Sequence, residues 1–102
     1  MHLIQLFLPR TDGQGAELPK PLFAQVRSVL LERFGGITAY LRTPAKGLWV
    51  DDSAAVVDDD LVVYEEVVET LDRDWWRSYL ARLERDFRQQ RLHVRVVPVD
   101  LL

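Results

Sequence analysis

Apolar residues open the chain almost without a break from Leu3 to Leu8, interrupted by Gln5 and stopped by Pro9. That pattern predicts a strand covered on both faces. Arg10 to Pro21 then gathers Gly, Pro and Asp and reads as a loop that ends in a proline suited to the first turn of a helix. Leu22, Phe23, Val26, Leu30 and Phe34 recur at three- and four-residue steps ahead of Gly35-Gly36. The spacing predicts an amphipathic helix of about 14 residues, closed by a left-handed glycine. Ile37 to Arg42 alternates at period two until Thr43-Pro44, a second strand. Leu61 to Val68 is rich in β-branched residues and predicts a third, despite Glu65 and Glu66. Asp72 caps a second helix with the apolar stripe Trp76, Leu80, Leu83 and Phe87, and Leu92 to Val97 alternates as a last strand before Pro98. The long connection from Thr43 to Asp60 is expected to be a loop, in which Leu48 to Val50 or Ala54 to Val57 adds at most short pairing.

The order strand, helix, strand, strand, helix, strand is the split βαβ pattern called ferredoxin-like. Right-handed crossovers place both helices on one face of an antiparallel four-stranded sheet of strand order 4-1-3-2, so the expected class is α+β. Residues 1–102 carry no linker, repeat or composition break, and one domain is expected. Alternation sends Ile4, Leu6, Leu8, Ile37, Ala39, Leu41, Leu61, Val63, Val67, Val94 and Val96 toward the helices. Glu65 is the misfit in that set, assigned to a bulge or the sheet margin. The opposite set is Leu3, Gln5, Phe7, Thr38, Tyr40, Arg42, Val62, Tyr64, Glu66, His93, Arg95 and Val97. Such a mixed aromatic, aliphatic and charged patch marks a partner or ligand site.

Composition narrows the field. With 48% hydrophobic and 28% charged residues the chain has the make-up of a folded globular protein. A net charge of −3 offers no general attraction for a phosphate backbone, and no nucleic-acid partner is expected. The absence of cysteine excludes disulfide, thiolate and cysteine-bearing metal chemistry. No apolar run approaches a membrane span and the start lacks a signal-peptide pattern, so a cytoplasmic protein without a membrane partner is expected.

Arg33-Phe34-Gly35-Gly36-Ile37-Thr38-Ala39-Tyr40, Pro44-Ala45-Lys46-Gly47-Leu48-Trp49 and Asp74-Trp75-Trp76 resemble motifs of a family of small uncharacterised bacterial proteins of about one hundred residues. The resemblance spans nearly the whole chain and implies a stand-alone bacterial protein, without transferring a catalytic role. The element order further resembles the dimeric α+β barrel group, in which subunits pack sheet to sheet; fold of itself does not fix function.

Two functions follow from the patch. In the first, two copies stack their open sheet faces into a homodimer, burying Phe7, Tyr40 and Tyr64 while Arg42, Glu66 and Arg95 pair around the contact. In the second, the chain is a cofactor-independent small-molecule enzyme or ligand binder with a pocket between the sheet face and the Trp49 loop. There His93 is the candidate base, Tyr40, Arg42 and Arg95 orient an anionic or carbonyl compound, and Trp49 is the lid. Asp51-Asp52 and Asp58-Asp59-Asp60 lack the spacing of a calcium loop and are read as a solvated acidic loop, so no metal is expected. Gly13-Gln14-Gly15 lacks the remainder of either glycine-rich phosphate loop, and no cofactor is expected. Trp76 is assigned to the core and Trp75 to a flanking or interface position.

Overall fold

The structure, a computed structural model, describes residues 1–35, 38–40, 46–50 and 56–102, with side chains described for 1–35 and 61–102. Its elements are β1 (His2–Pro9), α1 (Lys20–Phe34), β2 (Thr38–Tyr40), β3 (Lys46–Val50), β4 (Val56–Val68), α2 (Arg73–Asp86) and β5 (His93–Pro98). β1 is the central strand, paired antiparallel along its length with β4 on one side and with β5 on the other. Its near-continuous apolar sequence follows from that position. Ile4, Leu6 and Leu8 face the helices and are buried, while Leu3, Gln5 and Phe7 take the alternate positions.

The sheet corrects the expected ferredoxin-like layout of four strands in order 4-1-3-2. Its body is the antiparallel trio β4-β1-β5; β2, only three residues long, joins the far side of β4, and β3 pairs with the first part of β4 to make a fifth strand. The acid-rich stretch Val56–Asp60, expected in a loop, is instead part of a 13-residue β4. Aspartate has a low intrinsic preference for strands, but pairing with β3 satisfies the backbone there and overrides it. The α+β class stands.

Both helices pack on one face around Ile4, Leu6, Leu8, Val26, Leu30, Val62, Tyr64, Trp76, Tyr79, Leu83 and Phe87. Helix α1 starts at an extended Pro19 and ends at Gly35, whose φ of 79° lets its N–H reach the Leu31 carbonyl at 2.8 Å. A side chain there would meet the left-handed penalty that glycine escapes. Helix α2 is capped by Asp72, whose carboxylate accepts the Trp75 N–H at 3.1 Å. The loop before α1 is ordered by Asp12, whose side chain accepts the Gln14 and Ala16 N–H groups, and these bonds hold its carboxyl below the usual range. Trp76 is buried, stacked on Phe34, and Trp75 is half-buried beneath the Arg33 guanidinium at 4.3 Å.

Candidate functional site: the open sheet face

Register decides what lies on the side of the sheet away from the helices. Gln5 sits opposite Glu65 and Arg95, Phe7 opposite Val63 and His93, and Leu3 opposite Val67 and Val97. Directly opposed residues share a face, so these nine form one surface. Phe7 is its centre. The His93 ring lies 5.3 Å from the Phe7 ring, and the Arg95 guanidinium stands 5.3 Å above the same ring. Beside them the Gln5 amide donates to Glu65 Oε2 at 2.6 Å. Val63 is 5% exposed and Val67 38%, so the apolar strip is covered near Phe7 and open near Leu3.

Among the residues expected on this face, Phe7, His93 and Arg95 are brought together. Tyr64 and Glu66 are not: they lie opposite Leu6 and Ile4, on the helix side. Tyr64 is 1% exposed, and its hydroxyl accepts a hydrogen bond from Arg27 of α1 at 3.3 Å. Glu66 Oε2 is buried there without a partner, as is His2 Nδ1 on the same side, and burial pushes the Glu66 carboxyl above its usual range. The expected alternation in this strand was therefore one residue out of phase, which in a period-two element exchanges the two faces completely. Glu65, the misfit of that reading, was the signal of the error.

Tyr40 stands in β2 at the register position of Val63, and Trp49 in β3 opposite Val57. Arg42 lies outside the described residues, and so do the side chains of Tyr40 and Trp49.

Chemically, the surface offers an exposed imidazole against an aromatic ring, an exposed guanidinium and one carboxylate already engaged by an amide. Among the described residues no carboxylate hydrogen-bonds to His93, so nothing there orients it as a base. Nor is any group of three or more His, Asp or Glu placed to hold a metal ion among them. The cleft between α1 and α2 is lined by Leu22, Val26, Val29, Tyr79, Leu83 and Phe87. Burial pushes the Tyr79 phenol up to about 12, which keeps it protonated at neutral pH. No helix among the described residues is long and apolar enough to cross a membrane.

A scan against protein-family models finds no match, which leaves the resemblance to small bacterial proteins unconfirmed, and a search of curated proteins finds none either. Two solved structures are similar in fold. One is a phage SAM lyase in complex with S-methyl-5'-thioadenosine, 15% identical, with a TM-score of 0.59 over 94% of this chain and 79% of that one. The other is a phage SAM lyase in the apo state, 14% identical, with a TM-score of 0.57 over 94% and 78%. At such identities the likeness is one of fold.

Proposed function

We propose that this chain is a self-assembling binding module, in which the open sheet face of each copy is buried against a second copy. The observation that carries the reading is the strip of Leu3, Phe7, Val67 and Val97, none of them buried within the single chain, on the face opposite both helices. Water against such a strip costs about 25 cal/mol for each Å² left uncovered, and a two-fold contact between identical patches is the commonest way to remove it. The test is mass by light scattering. The parent is expected at twice the chain mass, and Phe7→Glu at the single-chain mass with an unchanged circular dichroism spectrum, since Phe7 is outside the core cluster. A parent of single-chain mass at micromolar concentration would end this reading.

A second reading is favoured by the likeness to the phage SAM lyase that holds S-methyl-5'-thioadenosine. In it the Phe7–Arg95–His93 group receives a nucleoside thioether, the rings stacking on the base and Arg95 facing polar atoms of the ligand. S-methyl-5'-thioadenosine is expected to raise the melting temperature of the parent but not of Phe7→Ala with Arg95→Ala. Equal melting with and without the compound would remove it.

A further inference from the structure

β5 is the outer strand of the described sheet, with β1 on one side of it and no described strand on the other. One contact fixes the phase of its hydrogen bonds. The Val99 N–H donates to the Met1 carbonyl at 3.1 Å, so in this antiparallel ladder Leu3, Gln5 and Phe7 are the residues that exchange backbone bonds with Val97, Arg95 and His93. The residues between them, Val94, Val96 and Pro98, turn their backbone groups the other way, off the sheet. Pro98 fits that phase, because it stands where β1 needs no donor. Among the described residues no backbone group accepts from the Val94 or Val96 N–H, and no residue of β5 is buried. Val96 is 38% exposed even though it lies opposite Ile4 on the helix side. The N–H groups of Val94 and Val96 and the carbonyls of Val94, Val96 and Pro98 thus form a free edge about 20 Å long.

Side chains decide what that edge accepts. Arg91, His93 and Arg95 are all exposed, and neither arginine is paired with a carboxylate among the described residues. The edge is therefore locally basic on a chain whose net charge is −3. A second copy is a poor match for it. Pairing β5 with itself about a two-fold axis at Arg95 sets two guanidinium groups directly opposite, and an axis at Val96 sets them diagonally on one face. An axis at Val94 sets Arg95 against His93 and calls on the Leu92 N–H, which already donates to Glu84 Oε2 at 3.0 Å. Every register that engages both Val94 and Val96 brings basic groups together. An acidic strand reverses that sign.

We propose that β5 is a docking edge for an extended acidic segment of a partner protein, which adds to the sheet as an antiparallel strand. Residues of the segment opposite Val94 and Val96 exchange the backbone bonds and are apolar, covering the exposed Val96 side chain. Those opposite His93 and Arg95 carry carboxylates. His93 and Arg95 then occupy non-hydrogen-bonded pairs, in which opposed Cα atoms are about 4.5 Å apart and side chains approach most closely. The Arg95 guanidinium is already held over the Phe7 ring at 5.3 Å, which limits the freedom lost when a carboxylate meets it. The edge of β5 is distinct from the strip of the open face, so this inference does not depend on the self-assembly reading.

Backbone amide exchange of the full chain, followed by NMR, tests it. The probe is an acetylated and amidated hexapeptide of alternating valine and glutamate, and the control its valine–lysine counterpart. At millimolar concentration the glutamate peptide is expected to slow exchange at Val94 and Val96 at least about tenfold and to leave Arg95 unchanged, because the Arg95 N–H already faces β1. The lysine peptide is expected to protect neither. Arg95→Glu is expected to reverse the preference between the two peptides. Val96→Pro removes an outward donor while sparing the β1 ladder, and is expected to abolish protection at Val94 with the parent's mass by light scattering retained. Equal protection by both peptides would overturn the acidic partner, and protection by neither would overturn the docking edge. If Val96→Pro lowers the mass of the parent, the edge belongs to a second copy and the proposal falls. Phe7→Glu judges the face separately.

Discussion

Tyr64 and Glu66 stand two positions apart on the helix side of β4, the Tyr64 hydroxyl paired and the Glu66 Oε2 buried unpaired. The Tyr64 ring fills the core and its hydroxyl is met by Arg27. Tyr64→Phe is therefore expected to lose about 1 kcal/mol and Tyr64→Ala about 3 to 5 kcal/mol, measured by urea denaturation. For Glu66 the sign is reversed. Its folded pKa lies above the ordinary 4.5, so the folded chain holds that proton more tightly than the unfolded one. The stability this contributes is fully present below about pH 4.5 and is lost as pH rises through the raised value. Glu66→Gln is expected to raise the melting temperature at pH 7 and to have little effect at pH 4. Melting curves across that range check both. A tyrosine and a glutamate are each compatible with either face of a sheet, so their types alone did not fix the phase of β4.

At the scale of elements, the helices were legible because their boundaries are written in chemistry that acts locally. Pro21 at the start of α1, Gly35 at its end and Asp72 before α2 each satisfy or spare backbone groups within a turn. The other oxygen of Asp72 pairs with the Arg33 guanidinium at 3.1 Å. Asp72→Ala is expected to cost about 1 kcal/mol, nearly all from the cap, because the Arg33 contact is largely exposed; thermal denaturation of Arg33→Ala alone separates the two. After α2 the chain turns through Arg88 at a φ of 52°, a left-handed conformation that side chains resist. Arg88→Gly is expected to stabilise by about 0.5 kcal/mol, the relief of strain slightly exceeding the glycine's added unfolded freedom. The strand at Val56–Asp60 was not legible. Three successive aspartates read as a loop, and only the pairing with β3 reveals the strand.

For the whole molecule, the response of the proposed assembly to salt reports which kind of contact holds it together. Exposed Asp–Arg contacts weaken as the Debye length falls from about 10 Å at 0.1 M to 3 Å at 1 M, whereas a purely apolar contact does not weaken in this way. Sedimentation of the parent at those two sodium chloride concentrations is expected to show a dissociation constant no larger at 1 M, since the strip buried in self-assembly is apolar. The fold shared with the phage SAM lyases extends over nearly all of this chain. It places a nucleoside-binding protein among its structural neighbours without transferring their residues.

The amino-acid sequence by itself determined the two helices, their caps, the central apolar strand and the α+β class, because these depend on periodicity and on groups a few residues apart. It also placed Phe7, His93 and Arg95 on one face, since β1 and β5 alternate cleanly. The tertiary structure decided the phase of β4, its length and the burial of Tyr64. A strand's phase is fixed by which neighbour it pairs with and in what register, and those partners lie tens of residues away along the chain.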